Sequence, residues 1–349
     1  MKAVRVGKRL VGENQPCVVV AEVGINHNGE MSLAHRAIDA AADAGADAVK
    51  FQNYHTEDFI SDRSLTYEYV SQGKTVVEPQ WDMFKRCELA PDQLRELREH
   101  CDRRRVIFFS TPSSEAGIQD LANVGAPLLK NGSDYLVHLP MIRAMARTGL
   151  PTVLSTGMAD AEDIEDAVEA FRGAGGEDLI LLQCTSSYPT PPEDVNLRKI
   201  TTLAQKFDCP VGLSDHTCGT IAAIGSVALG ACMIEKHFTL DRNLPGPDHW
   251  FSSDPAELRS LVDAVRTLEK NLGSPEIAPA NSEKLGRREY RLSCVAAREL
   301  TAGHRLTASD VAFRRPGSGI APKEADRLID RCLGRSVSPG HVFSSEDFV

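Results

Sequence analysis

Residues 210–239, PVGLSDHTCGTIAAIGSVALGACMIEKHFT, contain two short aliphatic runs separated by a stretch rich in alanine and glycine. The runs are PVGLSDH (210–216) and MIEKHFT (233–239), and both end in polar residues. Near-continuous apolarity over a few residues is typical of parallel strands that are covered on both faces. The segment between the runs is long enough for a crossover helix. This stretch therefore predicts a strand–helix–strand unit.

The same unit recurs along the chain from Cys17 to about Asn271. Six further strand-like runs precede the two above: CVVVAEV (17–23), DAVKFQ (47–52), VIFFST (106–111), PLLKNG (127–132), TVLSTG (152–157) and LILLQCT (179–185). Helical patterns follow the runs, as in 31–45, 91–104 and 254–272. Eight such units predict a (β/α)8 TIM barrel. A doubly wound sheet is the competing prediction, less favoured because no dinucleotide fingerprint follows a strand.

Two segments depart from this pattern. The connection 53–90 far exceeds the usual βα loop of about 2–6 residues and is rich in aromatic residues. We expect it to form either a lid over the barrel mouth or a subunit contact. After a barrel domain at 1–272, the polar residues 273–289 predict a linker. Residues 290–349 predict a small β-rich domain, in which 299–311 and 335–348 share a pattern that suggests a pair of related hairpins.

Composition restricts the class of protein. A length of 349 residues predicts about two domains, and a net charge of −10 argues against non-specific binding to nucleic acid or anionic membranes. No apolar stretch approaches the ~20 residues of a membrane span, and the N-terminus lacks an apolar signal core. Nine cysteines without a C-x-x-C pair fit free thiols in a reducing compartment. We therefore expect a soluble, cytoplasmic protein.

Polar and ionisable side chains are concentrated at the carboxyl ends of the predicted strands. Alternation along each strand places them on the same face as its apolar residues. They include Glu22, Lys50, Gln52, Thr111, Lys130, Ser155, Ser186, Ser214, His216, Glu235 and His237. In a β/α barrel these ends surround the mouth, where active sites lie. Ordinary strand-end polarity explains the hydroxyls, but buried charges are costly, so the five residues Glu22, Lys50, Lys130, His216 and His237 together indicate a functional site.

His216 and His237 are the candidate metal ligands. They occupy matching positions on neighbouring strands, and imidazole suits a divalent transition metal. Two histidines leave coordination positions open for water and substrate oxygens, as a catalytic metal needs. Asp215 could be a further ligand or could orient His216. The alternative is that each histidine is a hydrogen-bonded residue of the core.

Lys50 and Lys130, with the hydroxyls between and beyond them, suit a small ligand that carries a phosphate and a carboxylate. The alternative is that each lysine forms a strand-end salt bridge with Glu22 or Glu235. No P-loop is present, so a nucleotide is not indicated. Cys184 is expected to serve packing, and the role of GINHNGE (24–30), at the mouth after the first strand, is left open.

Eight motifs in order resemble the sialic acid synthase family, which comprises N-acetylneuraminate and related nonulosonic acid synthases. They are AEVGINHNG, GADAVKFQ, FFSTP, LSTGMA, CTSSYPTPPEDVNL, GLSDHT, EKHFTLDRNLPGPDH and RRPGSG. The resemblance runs from about Val18 to the C-terminus. Its terminal part resembles the SAF, or antifreeze-protein-like, domain.

The resemblance implies an enzyme that condenses phosphoenolpyruvate with the open-chain aldehyde of an N-acyl aminohexose and releases phosphate. The acceptor would be N-acetylmannosamine or a 2,4-diacetamido-trideoxyhexose, and the product a nine-carbon sialic or nonulosonic acid. His216 and His237 would hold Mn²⁺ or Mg²⁺, and Glu22 would activate water or stabilise the cationic centre. The phosphoenolpyruvate clamp would be Lys50, Thr111, Lys130, Ser155, Ser186 and Ser214.

The resemblance also implies the acceptor contacts. Gln52, Tyr188 and Asp248 would bind sugar hydroxyls, and Arg315 would reach the N-acyl group. In the family this arginine comes from the partner subunit, which implies a domain-swapped homodimer. Tyr135 departs from the family, because members that use N-acetylmannosamine commonly have a glutamate there. Either the tyrosine favours a deoxygenated or diacetamido sugar, or Asp134 compensates for the lost glutamate.

Two alternatives to this function stay open. One is another phosphoenolpyruvate–sugar condensing synthase that acts on a phosphorylated aldose, although no further basic cluster lies near Asp248 in the sequence. The other is a non-catalytic sensor of sugar or phosphate, which the presence of every candidate metal and clamp residue disfavours.

Overall fold

The computed structural model describes residues 3–349, and the chain divides into two compact units, Met1–Gly273 and Ser274–Val349. No helix within residues 3–349 is long and apolar enough to cross a membrane. The segment 273–289, predicted as a linker, contains a short helix and belongs almost entirely to the second unit.

The described residues form fourteen strands. They are β1 Val4–Val6, β2 Arg9–Val11, β3 Val18–Gly24, β4 Ala48–Asn53, β5 Thr66–Ser71, β6 Lys74–Pro79, β7 Ile107–Pro112, β8 Leu129–Asn131, β9 Thr152–Ser155, β10 Leu179–Cys184, β11 Val211–Asp215, β12 Met233–His237, β13 Ser293–Ala296 and β14 Val311–Arg314. The eight predicted barrel strands are all present, and each of their ends lies within two residues of its predicted position.

Eleven α-helices alternate with these strands in the described chain. They are α1 Met31–Asp43, α2 Thr56–Phe59, α3 Gln80–Cys87, α4 Pro91–Arg104, α5 Glu115–Val124, α6 Leu139–Arg147, α7 Ala161–Gly173, α8 Lys199–Phe207, α9 Ile221–Ala228, α10 Pro255–Leu272 and α11 Lys284–Glu289. Side chains that accept backbone N–H bonds fix several starts; Asp160 caps α7 and Asp254 caps α10.

The eight predicted strands form one parallel sheet in the order β7-β4-β3-β12-β11-β10-β9-β8. The two end strands, β7 and β8, lie side by side, so the sheet is a nearly closed barrel. The prediction of a (β/α)8 barrel is therefore confirmed, and the doubly wound alternative is wrong. Because all strands run the same way, their carboxyl ends meet at one mouth.

The barrel interior is filled by the apolar residues that strand alternation places inward. They form one buried cluster that includes Val18, Val20, Ala48, Phe109, Leu128, Val153, Ile180, Leu182 and Met233. Val4, Val6 and Val11 of the antiparallel hairpin β1–β2, which the sequence analysis did not predict, belong to the same cluster. This hairpin therefore packs against the amino ends of the strands, opposite the mouth.

The long connection 53–90 is structured. It contains α2, the antiparallel hairpin β5–β6 and α3. At the hairpin tip, Ser71 Oγ accepts from Gly246 N at 3.1 Å and Gln72 Nε2 donates to Asn243 O at 2.9 Å. The tip is thus bonded to the segment that follows β12. The connection lies at the mouth, as one of the two predictions for it requires.

The second unit contains two copies of one polar motif, 37 residues apart. In the first, the buried Asp310 accepts hydrogen bonds from Arg298, His304 and the backbone of Thr307 at 2.8–2.9 Å. In the second, the corresponding donors to Asp347 are Arg335, His341 and Ser344, at 2.7–3.0 Å. The repeated pattern in the sequence is therefore a repeated structure.

The second motif keeps its aspartate ionised. Burial alone would favour the protonated carboxyl, but the donors from Ser344, His341 and Arg335 lower the pKa of Asp347 to about 2. A carboxyl whose pKa is lowered by folding stabilises the protein above the pKa of its unfolded form, about 3.9, and loses that contribution as the pH falls toward 2.

We predict that Asp347→Asn destabilises the second unit by about 2 kcal/mol at pH 7, because three donors lose an ionised acceptor. Hydrogen exchange of the amides in 333–348 of the full chain measures this effect. The difference from wild type should shrink between pH 4 and pH 2. The exposed Asp326→Asn is the matched control, and equal protection in both variants at pH 7 would contradict the prediction.

Candidate active site at the barrel mouth

A cavity of about 500 Å³ opens at the carboxyl ends of the barrel strands. It is lined by thirteen of the fourteen predicted site residues: Glu22, Lys50, Gln52, Thr111, Lys130, Tyr135, Ser155, Ser186, Tyr188, Ser214, His216, His237 and Asp248. The fourteenth, Arg315, belongs to the second unit. There its Nε donates to Tyr290 O at 3.0 Å.

Four buried charges form the bottom of this cavity, and we call Glu22, Lys50, Lys130 and Glu235 the charged floor. Lys50 Nζ lies 2.8 Å from Glu22 Oε1 and 3.9 Å from Glu235 Oε2. Lys130 Nζ lies 3.8 Å from Glu235 Oε1. Each lysine therefore has an acidic neighbour, and the two positive and two negative charges balance.

Glu235 is the functional residue that the sequence analysis placed at the mouth but did not select. Ser214 Oγ donates to its Oε1 at 3.1 Å, and its Oε2 is buried without a hydrogen-bond partner. Because Glu235 lies two residues before His237 on the same strand, the sequence already places both side chains on the same face. Without Glu235, Lys130 would have no carboxylate within ion-pair distance in the described chain.

Burial changes the acidity of the floor. It raises the pKa of Glu22 to about 7, despite the nearby Lys50 ammonium. It lowers the pKa of Lys130, whose charged form is disfavoured away from water. Glu22 can therefore exchange a proton near neutral pH. Its second oxygen, Oε2, is buried and has no hydrogen-bond partner.

Hydroxyl groups surround the two ammonium groups. Lys50 Nζ donates to Thr111 Oγ1 at 2.9 Å, and Lys130 Nζ donates to Ser155 Oγ at 2.8 Å. The turn that follows β9 lies close to Ser186, because a Cβ added at Gly157 would lie 2.3 Å from Ser186 Oγ. A side chain at position 157 would therefore displace the Ser186 hydroxyl.

The two predicted metal ligands lie together above the floor. The rings of His216 and His237 have centroids 5.4 Å apart. His216 Nδ1 donates to Thr185 O at 2.9 Å, which leaves Nε2 as the nitrogen with a lone pair. Burial lowers the pKa of His237 well below its usual value, so its ring is neutral, the form that binds metals.

A divalent cation fits this donor set. His237 Nδ1 is buried without a hydrogen-bond partner, and Asp248 Oδ2 lies 3.8 Å from it. Burial raises the pKa of Asp248 to about 6. Within residues 3–349, no group of three or more His, Cys, Asp or Glu side chains has the arrangement of a metal centre. Two imidazoles and a nearby carboxylate are nonetheless suitable ligands.

The suggested roles for Asp215 are wrong. Asp215 Oδ2 accepts from Lys236 Nζ at 2.9 Å, and its Oδ1 accepts from Thr217 N. These residues alternate with the inward-facing Ser214 and Glu235, so they lie on the outer face of the barrel. Asp215 therefore holds an ion pair between strands and does not line the cavity.

Tyr188 covers the histidines from the side of the open mouth. Its ring centroid is 4.2 Å from that of His216 and 5.9 Å from that of His237. Beneath it, Cys184 Sγ lies 3.9 Å from His216 Nδ1 and lines the cavity. The prediction that Cys184 serves only packing is therefore incomplete, because its sulfur contacts a predicted metal ligand.

One side of the cavity is apolar, and most of it comes from the connection 53–90. This apolar wall consists of Ile25, Tyr54, Phe59, Tyr67, Met83 and Phe84. Tyr54, Phe59 and Phe84 make edge-to-face contacts with centroids 5.0–5.5 Å apart. Tyr54 Oη donates to Phe84 O, so its hydroxyl is already used. The aromatic richness of 53–90 was the only signal for this wall in the sequence.

Comparison with protein families identifies the chain. Residues 37–276 match the NeuB family, and residues 293–349 match the SAF domain. The chain belongs to the NeuB family. Both matches agree with the sequence motifs and with the order of the two units.

Individual relatives of this NeuB protein span almost its whole length. An N,N'-diacetyllegionaminic acid synthase from Legionella pneumophila is 37% identical over 94% of this chain and 94% of its own. The human N-acetylneuraminate-9-phosphate synthase is 36% identical over 93% of this chain and 90% of its own. The crystal structure of an N-acetylneuraminic acid synthetase from Leptospira borgpetersenii, in complex with citrate, superimposes with a TM-score of 0.74.

The Leptospira structure is 35% identical in sequence and covers 82% of this chain and 95% of its own. These relatives are synthases of nonulosonic or sialic acids, so this NeuB protein is an enzyme of the same transferase class. Their names differ in the acid produced. The reaction class is therefore established, whereas the sugar must be argued from the cavity.

Proposed function

We propose that the protein joins phosphoenolpyruvate to the aldehyde of an N-acyl aminohexose and releases phosphate. C3 of phosphoenolpyruvate forms the new bond to the aldehyde carbon, and water adds at C2. The C2–O bond to phosphate then breaks as the 2-keto group forms. The observation that supports this is one cavity in which two buried lysines and Glu22 lie beneath a pair of imidazoles.

The lysines of the charged floor would bind the phosphate and carboxylate groups of phosphoenolpyruvate. Thr111, Ser155, Ser186 and Ser214 would donate further hydrogen bonds to the same anion. Glu22 and Glu235 together balance the charges of the two lysines before the anion arrives. The floor therefore needs little rearrangement when phosphoenolpyruvate binds.

Glu22 would take the proton from the water that adds at C2. Its pKa of about 7 allows a carboxylate to act as a base near neutral pH and to return the proton later. Gln52 Nε2 donates to Glu22 Oε1 at 3.1 Å and Lys50 holds the same oxygen. The unpartnered Oε2 is thus the atom available to the water.

His216 and His237 would hold Mn²⁺ or Mg²⁺. Such a cation supplies Lewis acidity toward the aldehyde oxygen. The chain's own contribution is orientation: Thr185 fixes the His216 tautomer and Tyr188 covers both rings. Asp248 and Gln52 would bind hydroxyl groups of the acceptor beside them.

The cavity favours an acceptor that is neither phosphorylated nor rich in hydroxyls at its far end. Among the described lining residues, Lys50 and Lys130 are the only Lys or Arg side chains, and both belong to the charged floor. The apolar wall offers methyl contacts, and Tyr135 stands where a glutamate would accept sugar hydroxyls. A 2,4-diacetamido-trideoxyhexose fits these surfaces better than N-acetylmannosamine.

Two further parts of the proposal concern assembly and location. Arg315 would reach the N-acyl group from the second subunit of a domain-swapped homodimer. The protein would act in the cytoplasm, where its nine free cysteines stay reduced.

The first prediction tests the reaction and the metal together. With Mn²⁺, phosphate release from phosphoenolpyruvate should occur with the diacetamido-trideoxyhexose, more slowly with N-acetylmannosamine, and not with arabinose 5-phosphate or without acceptor. EDTA should abolish release and Mn²⁺ should restore it. Undiminished release in EDTA would refute the metal role. If no acceptor gave phosphate release although phosphoenolpyruvate still bound, the protein would be a sensor.

A second prediction concerns acceptor choice. Tyr135→Glu should shift the ratio of kcat/KM values toward N-acetylmannosamine by about tenfold, because a carboxylate accepts hydroxyl hydrogen bonds. Tyr135→Phe, which keeps the ring, is the control and should leave the ratio near that of wild type. An unchanged ratio in Tyr135→Glu would assign the preference to other residues.

A third prediction concerns the homodimer. Arg315→Ala and His216→Ala chains should each be inactive, and mixing them under subunit exchange should recover partial activity. Recovery is expected because a heterodimer keeps one site with both residues intact. If exchange is demonstrated by mass spectrometry and no activity returns, the swapped arrangement is wrong.

A further inference from the structure

The segment Asn26–Gly29, which we call the NHNG turn, begins two residues after the end of β3 and takes no part in the proposed chemistry. Its backbone fits against α3, since a Cβ added at Gly29 would lie 2.1 Å from Arg86 O. On its other side it faces the segment 239–253, which follows β12 and carries Asp248. We call this segment the acceptor loop.

Asn26 links two points of that region. Its buried Nδ2 donates to Phe238 O at 2.9 Å and to Ser252 Oγ at 3.1 Å. Ser252, which is fully buried, donates its hydroxyl proton to Asp248 O at 2.6 Å. One amide group thus holds the residue after His237 and, through Ser252, the backbone of Asp248.

A second set of contacts holds the preceding part of the acceptor loop. Asn28 Nδ2 donates to Pro245 O at 2.8 Å, and its Oδ1 lies 3.3 Å from His249 Nε2. Gly246 lies against this pair, with φ +143°, and an added Cβ would lie 2.8 Å from His249 Cδ2 and 3.0 Å from Asn28 Oδ1 of the NHNG turn. This close approach shows that the turn and the loop fit each other.

The acceptor loop is therefore held from two sides. The NHNG turn bonds it from the end of β3, and the tip of hairpin β5–β6 bonds it through Ser71 and Gln72. Asp248 Oδ2, which the loop carries, lies 3.8 Å from His237 Nδ1. At the base of the loop, Ser253 N also donates to His237 O at 2.8 Å, so the turn and the hairpin tip hold the part of the loop beyond that base.

We propose that Asn26 is a positioning residue: through Phe238 and Ser252 it holds Asp248 where the acceptor sugar is bound. This inference rests on the proposed function, in which Asp248 contacts the acceptor. It assigns no contact with substrate to Asn26 itself. Binding of phosphoenolpyruvate, which would occupy the charged floor, should not be affected by a substitution of Asn26.

The kinetic test uses Asn26→Asp in the full chain, because aspartate has the same shape but lacks both N–H donors. The KM for the amino sugar should rise about tenfold, while the KM for phosphoenolpyruvate stays within about twofold. Asn123→Asp, the same change on the exposed end of α5, should leave both values unchanged. Unchanged constants, or an equal rise in both, would overturn the proposal.

A double-mutant cycle separates positioning from general destabilisation. Ser252→Ala breaks the same path at its second step, so the double variant should be no worse than Asn26→Asp alone. Additive losses would show that the two residues act independently and would contradict the relay. If Asn26→Asp does not fold, Ser252→Ala alone should give the same acceptor-specific rise in KM.

A third readout does not depend on activity. The chain has two tryptophans, Trp81 and Trp250, and Trp250 lies in the acceptor loop. In a Trp81→Phe background, Asn26→Asp should raise the acrylamide quenching constant of Trp250 about twofold, because the loop becomes mobile. Equal quenching in Asn26→Asp and Asn123→Asp would refute the positioning role even if no acceptor were turned over. Failure of the proposed function alone would leave this difference intact.

Discussion

The balance of charge at the bottom of the barrel is the constraint on which the site depends. Burying an ionised group costs several kcal/mol, and a buried charge without a partner costs more than the pair it belonged to. Lys50 and Lys130 satisfy this condition because Glu22 and Glu235 lie beside them. The strand register brings them together: Glu22 pairs with Lys50 across β3 and β4.

The fold was predictable from the sequence because strand alternation is a strong constraint in a barrel. Apolar residues that shared a predicted face with Glu22 or Lys50 do share one buried cluster. Hairpin β1–β2 was missed because its strands have three residues each, too few for periodicity to show. The contacts of the connection 53–90 depend on distant residues such as Gly246, which no local pattern reveals.

The site was predictable to the extent that strand ends determine it. Alternation places Ser214 and His216 inward and Asp215 outward. The roles suggested for Asp215, as a metal ligand or a partner of His216, rested on its position next to His216 in the sequence and disregarded this alternation. The composition of the apolar wall could not be predicted in full, because most of its residues come from the connection 53–90, where the aromatic residues have no regular spacing. Which hydroxyl bonds which lysine also had to be observed, since alternation gives a face and not a distance.

The charged floor and the apolar wall come from different parts of the chain. The floor is built from strand ends, where a substitution disturbs the sheet and its ion pairs, whereas most of the wall comes from a connection outside the sheet. Evolution could therefore exchange the connection 53–90 and alter the sugar while the condensation chemistry stayed intact. A designer seeking a new acid would begin with grafts of that connection.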